Sequence, residues 1–235
     1  MNQQTIRNNL LEIMERITRA AEKSGRKSSE IEIIAVTKNV PESVIRQAYQ
    51  VGLRIFGENR IQEAIPKIAA LKDCEEITWH MIGHLQSNKA RKAAENFAMI
   101  QSVDSLELAC KLARIGYETD KHIEILLEVN VSSEATKSGV QPINLVSIAE
   151  KIAALPEITL RGLMTIGPLT TDKKLIRKAF ITLRQYFEKI SLSGMFQRNF
   201  NIISMGMTDD YDIAVEEGSN MVRIGRGIFA ERTAQ

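Results

Sequence analysis

The chain has 235 residues, of which 44% are hydrophobic and 26% are charged, and its formal net charge at pH 7 is +2. This length fits one α/β barrel, and the composition excludes a disordered, collagen-like or low-complexity protein. The small, dispersed net charge argues against a nucleic-acid or membrane partner, so any anion must be bound locally.

The first predicted element is an amphipathic helix over about residues 4–24. Charged residues such as Arg7 and Glu12 interrupt it, so it is neither a signal sequence nor a membrane-spanning helix. The two cysteines, Cys74 and Cys110, lie in separate segments without metal-ligand spacing. They predict no disulfide framework and favour a reducing, cytoplasmic setting.

Eight strand-like segments follow, and segments with helical periodicity separate them. The predicted strands begin at Ile31, Leu53, Ile77, Ala98, His122, Ile158, Phe200 and Met221. Eight alternations in this length fit a closed barrel better than an open doubly wound sheet. The sequence therefore predicts a single (β/α)8 TIM barrel over residues 1–235, with the extra N-terminal helix at its lower end.

Several turns carry helix start and stop signals. Pro41 suits a first helical position, and Gly52 suits the end of the same helix. Asp104 with Glu107 three residues later has capping-box spacing. Thr208 opens the segment TDDYDIAVEEG, whose first turn carries acids that face the positive end of a helix.

Active sites in such barrels lie at the C-terminal ends of the strands, where Lys38 ends the run IEIIAVTK. Partial desolvation of an amine there favours its uncharged form and suits it to Schiff-base chemistry with an aldehyde. The alternative is an ordinary solvated lysine, which is the common case. Lys89 and Lys137 are more simply interpreted as solvated, with anion steering as their alternative.

The runs SMGMT and RIGRG follow the last two strands. They combine a hydroxyl, glycines that let backbone amides approach closely, and helix starts, which together suit a phosphate. Either run alone is more simply a strand-to-helix turn. Their joint position favours a phosphate site.

His80 and His84 are four residues apart but straddle a strand end, so they do not match a zinc motif. Trp79 and Met81 alternate with His80, so one set faces the inside of the barrel and the other faces the helices, and a core role is the simplest for all three. The sequence contains no Ser-His-Asp spacing, phosphate-binding P-loop or dinucleotide fingerprint. Any chemistry must therefore come from the lysine.

Eight segments occur in a specific order: AVTKNVP, FGENRIQEA, WHMIGHLQSNK, SVDS, VNVSSEATKSGV, RGLMTIGP, SMGMTDDYDIAVEEGS and RIGRGIF. Together they resemble the pyridoxal phosphate homeostasis proteins, whose barrel is similar to the N-terminal domain of alanine racemase. The resemblance covers nearly the whole chain. It implies a barrel of PLP fold type III and pyridoxal 5′-phosphate (PLP) as the cofactor.

The resemblance implies that Lys38 holds PLP as an internal aldimine and that Arg223 faces the pyridine nitrogen. Because guanidinium keeps its proton, the ring nitrogen stays unprotonated and the cofactor is a weaker electron sink than one paired with a carboxylate. The residues implied at the phosphate turns are Ser204, Met205, Gly206, Gly225 and Arg226. The residues implied to line the pocket are Asn59, His80, Met81, Ile82 and Met164.

Arg226 departs from the family pattern, since many members have a small hydroxyl residue at this position. The backbone amide contact survives the change, but a hydroxyl bond does not. Arg226 either pairs with the phosphate or points to solvent, and the sequence leaves both open.

Racemisation needs two acid/base groups on opposite faces of the substrate. In alanine racemase the second is a tyrosine from a C-terminal domain of the partner subunit, whereas we expect no further domain here. The four tyrosines fall in helical segments or at their ends: Tyr49, Tyr117, Tyr186 and Tyr211. A barrel that is open at its cofactor face also excludes water poorly, which disfavours carbanion chemistry but permits exchange of the cofactor. We therefore expect a cytoplasmic, monomeric PLP-binding protein that buffers or delivers the cofactor without catalytic turnover.

Two alternatives remain open at this point. One is an amino-acid racemase or another fold-type III PLP enzyme, with a substrate carboxylate near Arg226 or Lys137. The other is a regulator that binds proteins through its exposed helices. The expected partners are PLP itself and PLP-dependent apo-enzymes or a regulatory protein, with no nucleic acid and no membrane.

Overall fold

The computed structural model describes residues 1–132, 138–194, 196 and 199–230. Eight parallel strands close into a barrel in chain order. They are β1 (Glu32–Val36), β2 (Ile55–Glu58), β3 (Thr78–Met81), β4 (Met99–Val103), β5 (Ile123–Glu128), β6 (Ile158–Met164), β7 (Ile202–Ser204) and β8 (Met221–Ile224). Each begins within two residues of its predicted start, which confirms the (β/α)8 barrel.

Helices lie between the strands and outside the barrel. They are α1 (Gln3–Lys23), α2 (Glu42–Gln50), α3 (Ile61–Ala70), α4 (Ala90–Asn96), α5 (Leu106–Thr119), α6 (Leu145–Ala153), α7 (Lys173–Ser191), α8 (Tyr211–Glu216) and α9 (Arg226–Phe229). None of the helices in the described part of the chain is both long and apolar enough to cross a membrane.

Helix α1 occupies the side of the barrel, not the lower end expected from the sequence. It packs against α2, α8 and α9. The Asn9 side-chain amide donates to the carbonyls of Ile228 at 2.9 Å and Ala230 at 3.2 Å, and Arg16 pairs with Asp212 at 2.9 Å. Because α9 has only four residues, α1 completes the ring of helices where the last unit is too short to do so.

Two helix starts differ from their predictions. The cap of α5 is Ser105, whose hydroxyl accepts from the Leu108 amide, while Asp104 lies 3.1 Å from His84 instead. Helix α8 begins at Tyr211 with Asp210 as its cap. At α5 either neighbouring residue could cap by type, and Asp104 contacts His84 while Ser105 caps. At α8 the Asp210 side chain makes no capping hydrogen bond and accepts from the Met207 amide.

The barrel has two separate apolar layers, because successive strand residues point to opposite faces. The larger layer lies between the strands and the helices. The smaller one fills the barrel interior and consists of Ile34, Met99, Leu126, Met164, Ile202 and Met221. Methionine suits this irregular space because its side chain is unbranched. Above these residues the interior becomes polar, and the candidate site begins there.

Candidate functional site

Lys38 lies between two cavities at the C-terminal mouth of the barrel. One, of about 630 Å³, is bounded by the loops after β1, β2 and β3 and includes Asn59, Met81 and Lys89. The other, of about 460 Å³, is bounded by the end of β1 and by Gly225 and Arg226 after β8. Lys38 thus borders both cavities.

The Lys38 side chain is exposed. The expected partial desolvation of its amine is therefore wrong for this structure. The apolar part of the run is buried, as Ile34 and Ala35 show, but it ends before Lys38, which leaves the strand at the open mouth.

A chain of buried hydrogen bonds crosses the barrel interior below the mouth. Arg223 Nη1 donates to Ser204 Oγ at 2.6 Å, and Ser204 Oγ donates to Gln101 Oε1 at 2.7 Å. Gln101 Nε2 lies 2.9 Å from His80 Nδ1. Arg223 Nη2 donates to the Thr165 carbonyl at 2.7 Å. These contacts fix the plane of the Arg223 guanidinium and the side chains of Ser204 and Gln101.

Burial shifts the titration of both ends of this chain. It lowers the pKa of His80 to about 4, so the imidazole is neutral at pH 7 and accepts from Gln101 through Nδ1. It also lowers the pKa of Arg223 to about 10, with Glu128 and Asp210 opposing the shift. Arg223 therefore stays a cation at neutral pH.

Glu128 at the end of β5 is a titratable group that the sequence interpretation missed. Its side chain is buried. Burial, and to a smaller extent the charge of Asp104, raises its pKa to about 7, while the charges of Arg223 and His84 oppose the rise. Asn130 and Ser138 line a smaller cavity of about 190 Å³ with it. The available signal was a charged residue inside the apolar run HIEILLEVNV.

The turn after β7 requires its glycine. Gly206 has a φ of +92°, and a Cβ there would lie 2.5 Å from the Ala214 Cβ. The Met207 amide donates to Asp210 Oδ1 at 2.6 Å, which closes the turn. Ser204, by contrast, directs its proton into the barrel toward Gln101, so its predicted phosphate contact would require the hydroxyl to turn.

Arg226 adopts the solvent-facing alternative. Its Nη2 lies 2.7 Å from Asp209 Oδ2, and both side chains are more than three-quarters exposed. Lys137, the other cation considered for a substrate carboxylate, lies outside the described residues.

The remaining predicted residues divide between the two faces of the sheet. His80 and Met164 face the interior, and Ile82 reaches the space above Gly57. Met81 and Met205 belong instead to the layer between strands and helices. Strand alternation points the Met205 side chain away from Ser204 and the interior, so at the predicted phosphate turn only its backbone faces the same way as Ser204.

Asn59 borders the larger cavity beside Lys38. Its Oδ1 is buried and has no hydrogen-bond partner among the residues that the structure describes. The four tyrosines all lie on helices, namely α2, α5, α7 and α8. None of them borders either of the two cavities beside Lys38 in the described part of the chain.

Comparison with known proteins agrees with the barrel fold described above. A family model described as the N-terminal domain of alanine racemase matches residues 2–233. A protein of Pseudomonas aeruginosa named pyridoxal phosphate homeostasis protein is 40% identical over 228 residues, which cover 97% of this chain and 96% of that protein.

Solved structures give the same result. The structure of PipY from Synechococcus elongatus with PLP bound has a TM-score of 0.83 and 35% identity, covering 96% of this chain and all of that one. An alanine racemase of Clostridium difficile has a TM-score of 0.75 at 18% identity and covers 100% of this chain and 58% of its own, which shows the fold alone. The chain therefore belongs to the family of pyridoxal phosphate homeostasis proteins, built on the barrel of the alanine racemase N-terminal domain.

Proposed function

We propose that this protein holds PLP as a Schiff base on Lys38 and serves intracellular PLP homeostasis without catalytic turnover. The observation that carries the proposal is the position of Lys38 between two cavities, beside the glycine turn after β8. The family supports it, since the related proteins are named for PLP homeostasis and PipY has PLP bound.

The residues at the mouth suit this ligand. PLP supplies an aldehyde that condenses with a primary amine, and Lys38 offers one that is exposed. The turns at Gly206 and Gly225 let backbone amides approach a phosphate. Asn59 adds a buried acceptor that has no partner in the described chain and that a donor on the ligand would satisfy.

Arg223 supports a carrier more than an enzyme. It stays protonated at neutral pH, so we assign it as a donor to the pyridine nitrogen, which then carries no proton of its own. A ring in that state withdraws electrons weakly from a bound amino acid. His80, Ile82 and Met164 would complete the floor beneath the ring, and Ser204 would reach the phosphate after turning from Gln101.

We also propose that PLP-dependent apo-enzymes or a regulatory protein exchange cofactor with this barrel in the cytoplasm, and that it acts as a monomer. Cys74 and Cys110 are free thiols in the structure, which suits a reducing compartment. Mixing the PLP-loaded protein with a PLP-dependent apo-enzyme and following activation of that enzyme tests the delivery step.

Absorbance spectroscopy tests the Schiff base directly. The wild type should show a visible band with PLP that borohydride removes, with the adduct fixed on Lys38, and Lys38→Ala should lack both. Lys89→Ala is the matched control, because Lys89 borders the same cavity and should leave the band unchanged. A colourless wild type that takes up no added PLP would refute the proposal.

A second candidate, an amino-acid racemase or another fold-type III enzyme, is favoured by Glu128. Strand β5 lies across the eight-stranded barrel from β1, and a carboxyl whose pKa is about 7 suits proton transfer. Incubation of the PLP-loaded protein with single amino acids decides between the two. Sustained turnover that Glu128→Gln abolishes would establish the enzyme.

A further inference from the structure

Thr37, the residue before Lys38, is tied to its surroundings through all of its polar atoms. Its amide donates to the Gly57 carbonyl at 3.0 Å. Its hydroxyl donates to Glu58 Oε1 at 2.6 Å, and its carbonyl accepts from Lys67 Nζ at 2.7 Å. Lys67 Nζ also donates to Glu58 Oε1 at 2.7 Å. We call Thr37, Glu58 and Lys67 the Thr37 clamp.

The Thr37 clamp joins three consecutive elements. Thr37 follows β1, Glu58 ends β2 and Lys67 lies on α3. The Glu58 side chain is fully buried and that of Lys67 is 9% exposed. The clamp therefore lies between the sheet and α3. The next residue along the chain, Lys38, borders the cavity at the mouth of the barrel.

Stability alone gives a poor account of this ion pair. Burying two charges costs much of what their attraction returns, and apolar residues of similar size are often as stable. In addition, Glu58 Oε2 is buried without a hydrogen-bond partner among the described residues. Both bonds to the carboxylate converge on Oε1 and orient Thr37.

Lys38 depends on its backbone for direction. Its side chain makes no hydrogen bond or ion pair within the described parts of the chain. Asn39, the residue after it, adopts a left-handed conformation with φ +58°. The chain thus turns sharply just past Lys38, and Thr37 is the fixed point from which that turn starts.

We propose that Glu58 and Lys67 are positioning residues that, through Thr37, aim the Lys38 amine into the mouth and speed formation of its Schiff base. This inference rests on the proposed function of Lys38. In the step itself the Lys38 nitrogen bonds to the aldehyde carbon of PLP, and the aldehyde oxygen leaves as water with the two amine protons. No oxidant or reductant is needed.

Paired substitution separates positioning from stability. The double variant Glu58→Met with Lys67→Met removes both charges and keeps apolar volume, so its thermal stability should return close to that of wild type. Mixed with PLP in stopped flow, the apo form of this variant should develop the visible band about tenfold to a hundredfold more slowly, as small displacements of a reacting group do.

Thr37→Val gives a second route to the same measurement. It keeps both charges and loses only the hydroxyl's bonds to Glu58 Oε1 at 2.6 Å and to the Gly57 carbonyl at 3.3 Å, so it should fold and also capture PLP slowly. Leu112→Ala on α5 is the control for lost stability, because Leu112 is fully buried away from the mouth. It should capture PLP at the wild-type rate.

The outcomes are distinct. Wild-type rates in both the double variant and Thr37→Val would overturn the positioning role, and the proposed function would stand, because Lys38→Ala would still lack the band. A wild type that forms no borohydride-fixed adduct would overturn both. Slow capture in the double variant or Thr37→Val, with normal capture in Leu112→Ala, supports the clamp.

Discussion

Two ion pairs flank Lys38, and the same distance has a different meaning in each. Lys67 and Glu58 lie 2.7 Å apart with side chains that are 9% and 0% exposed. Arg226 and Asp209 also lie 2.7 Å apart, with side chains that are 77% and 79% exposed. Water screens the second pair but not the first. Burial, not separation, therefore decides what each pair contributes.

Lys67→Met should have the largest effect on stability. It leaves the Glu58 carboxylate buried without its cation, which costs about 3–5 kcal/mol of unfolding free energy. Urea denaturation followed by circular dichroism measures the loss. Lys89→Met is the matched lysine control and should stay close to wild type. A loss in Lys67→Met no larger than in the control would remove the distinction between the two pairs.

Glu128→Gln extends the comparison to a buried carboxyl that forms no ion pair within 4 Å among the residues that the structure describes. The folded-state pKa of Glu128, about 7, lies above its ordinary value of 4.5. The folded state therefore holds the proton more tightly, so the wild type loses stability as the pH rises from about 4.5 to 7. The variant lacks this loss and should gain about 3 kcal/mol on wild type between pH 4 and pH 8.

Parallel urea titrations at the two pH values check this. Glu124→Gln on the same strand is the control, since Glu124 is partly exposed and pairs with Arg161 at 2.6 Å. An equal pH dependence in wild type and Glu128→Gln would contradict the assignment.

Ser204→Ala tests the neutral part of the buried network. It leaves Arg223 Nη1 and Gln101 Oε1 each without the hydroxyl that they share. A buried group without its partner costs about 1–3 kcal/mol, measurable by thermal unfolding. Thr182→Val, which removes a hydroxyl bond on the exposed side of α7, should cost much less, and equal losses would argue that burial is irrelevant here.

Arg226→Thr should have the smallest effect. The exposed pair with Asp209 contributes about 0.5 kcal/mol or less, so the melting temperature should hardly change. Titration of the apo-protein with PLP measures affinity in the same variant. We expect little change in PLP affinity, because the Arg226 side chain points to solvent. A large loss of affinity would instead support a contact between Arg226 and the phosphate.

Much of the fold was predictable because it follows from the pattern of apolar and polar residues along short segments of the sequence. Apolar runs of strand length, separated by periodic segments, predicted all eight strands, since parallel strands buried on both faces read as continuous apolar segments. The glycine turns after β7 and β8 were predictable for the same reason. Gly206 adopts a φ that other residues rarely do.

The polar interior was not predictable in the same way. Gln101 and Glu128 sit in apolar runs, and only the register of the closed barrel shows that they face inward. The end of burial just before Lys38 was missed for a related reason. Residue type indicates which side chains prefer to be buried, but exposure depends on where the strand meets the mouth.

The barrel's strands, the lysine that follows β1 and the two glycine turns could be identified from local conformational preferences of a few neighbouring residues. The partners of those residues depend on how the elements pack together. Glu58 and Lys67 meet because α3 packs back on β2, and Arg223 reaches Ser204 because β7 and β8 are adjacent. Such contacts depend on packing between elements, which local pattern does not encode.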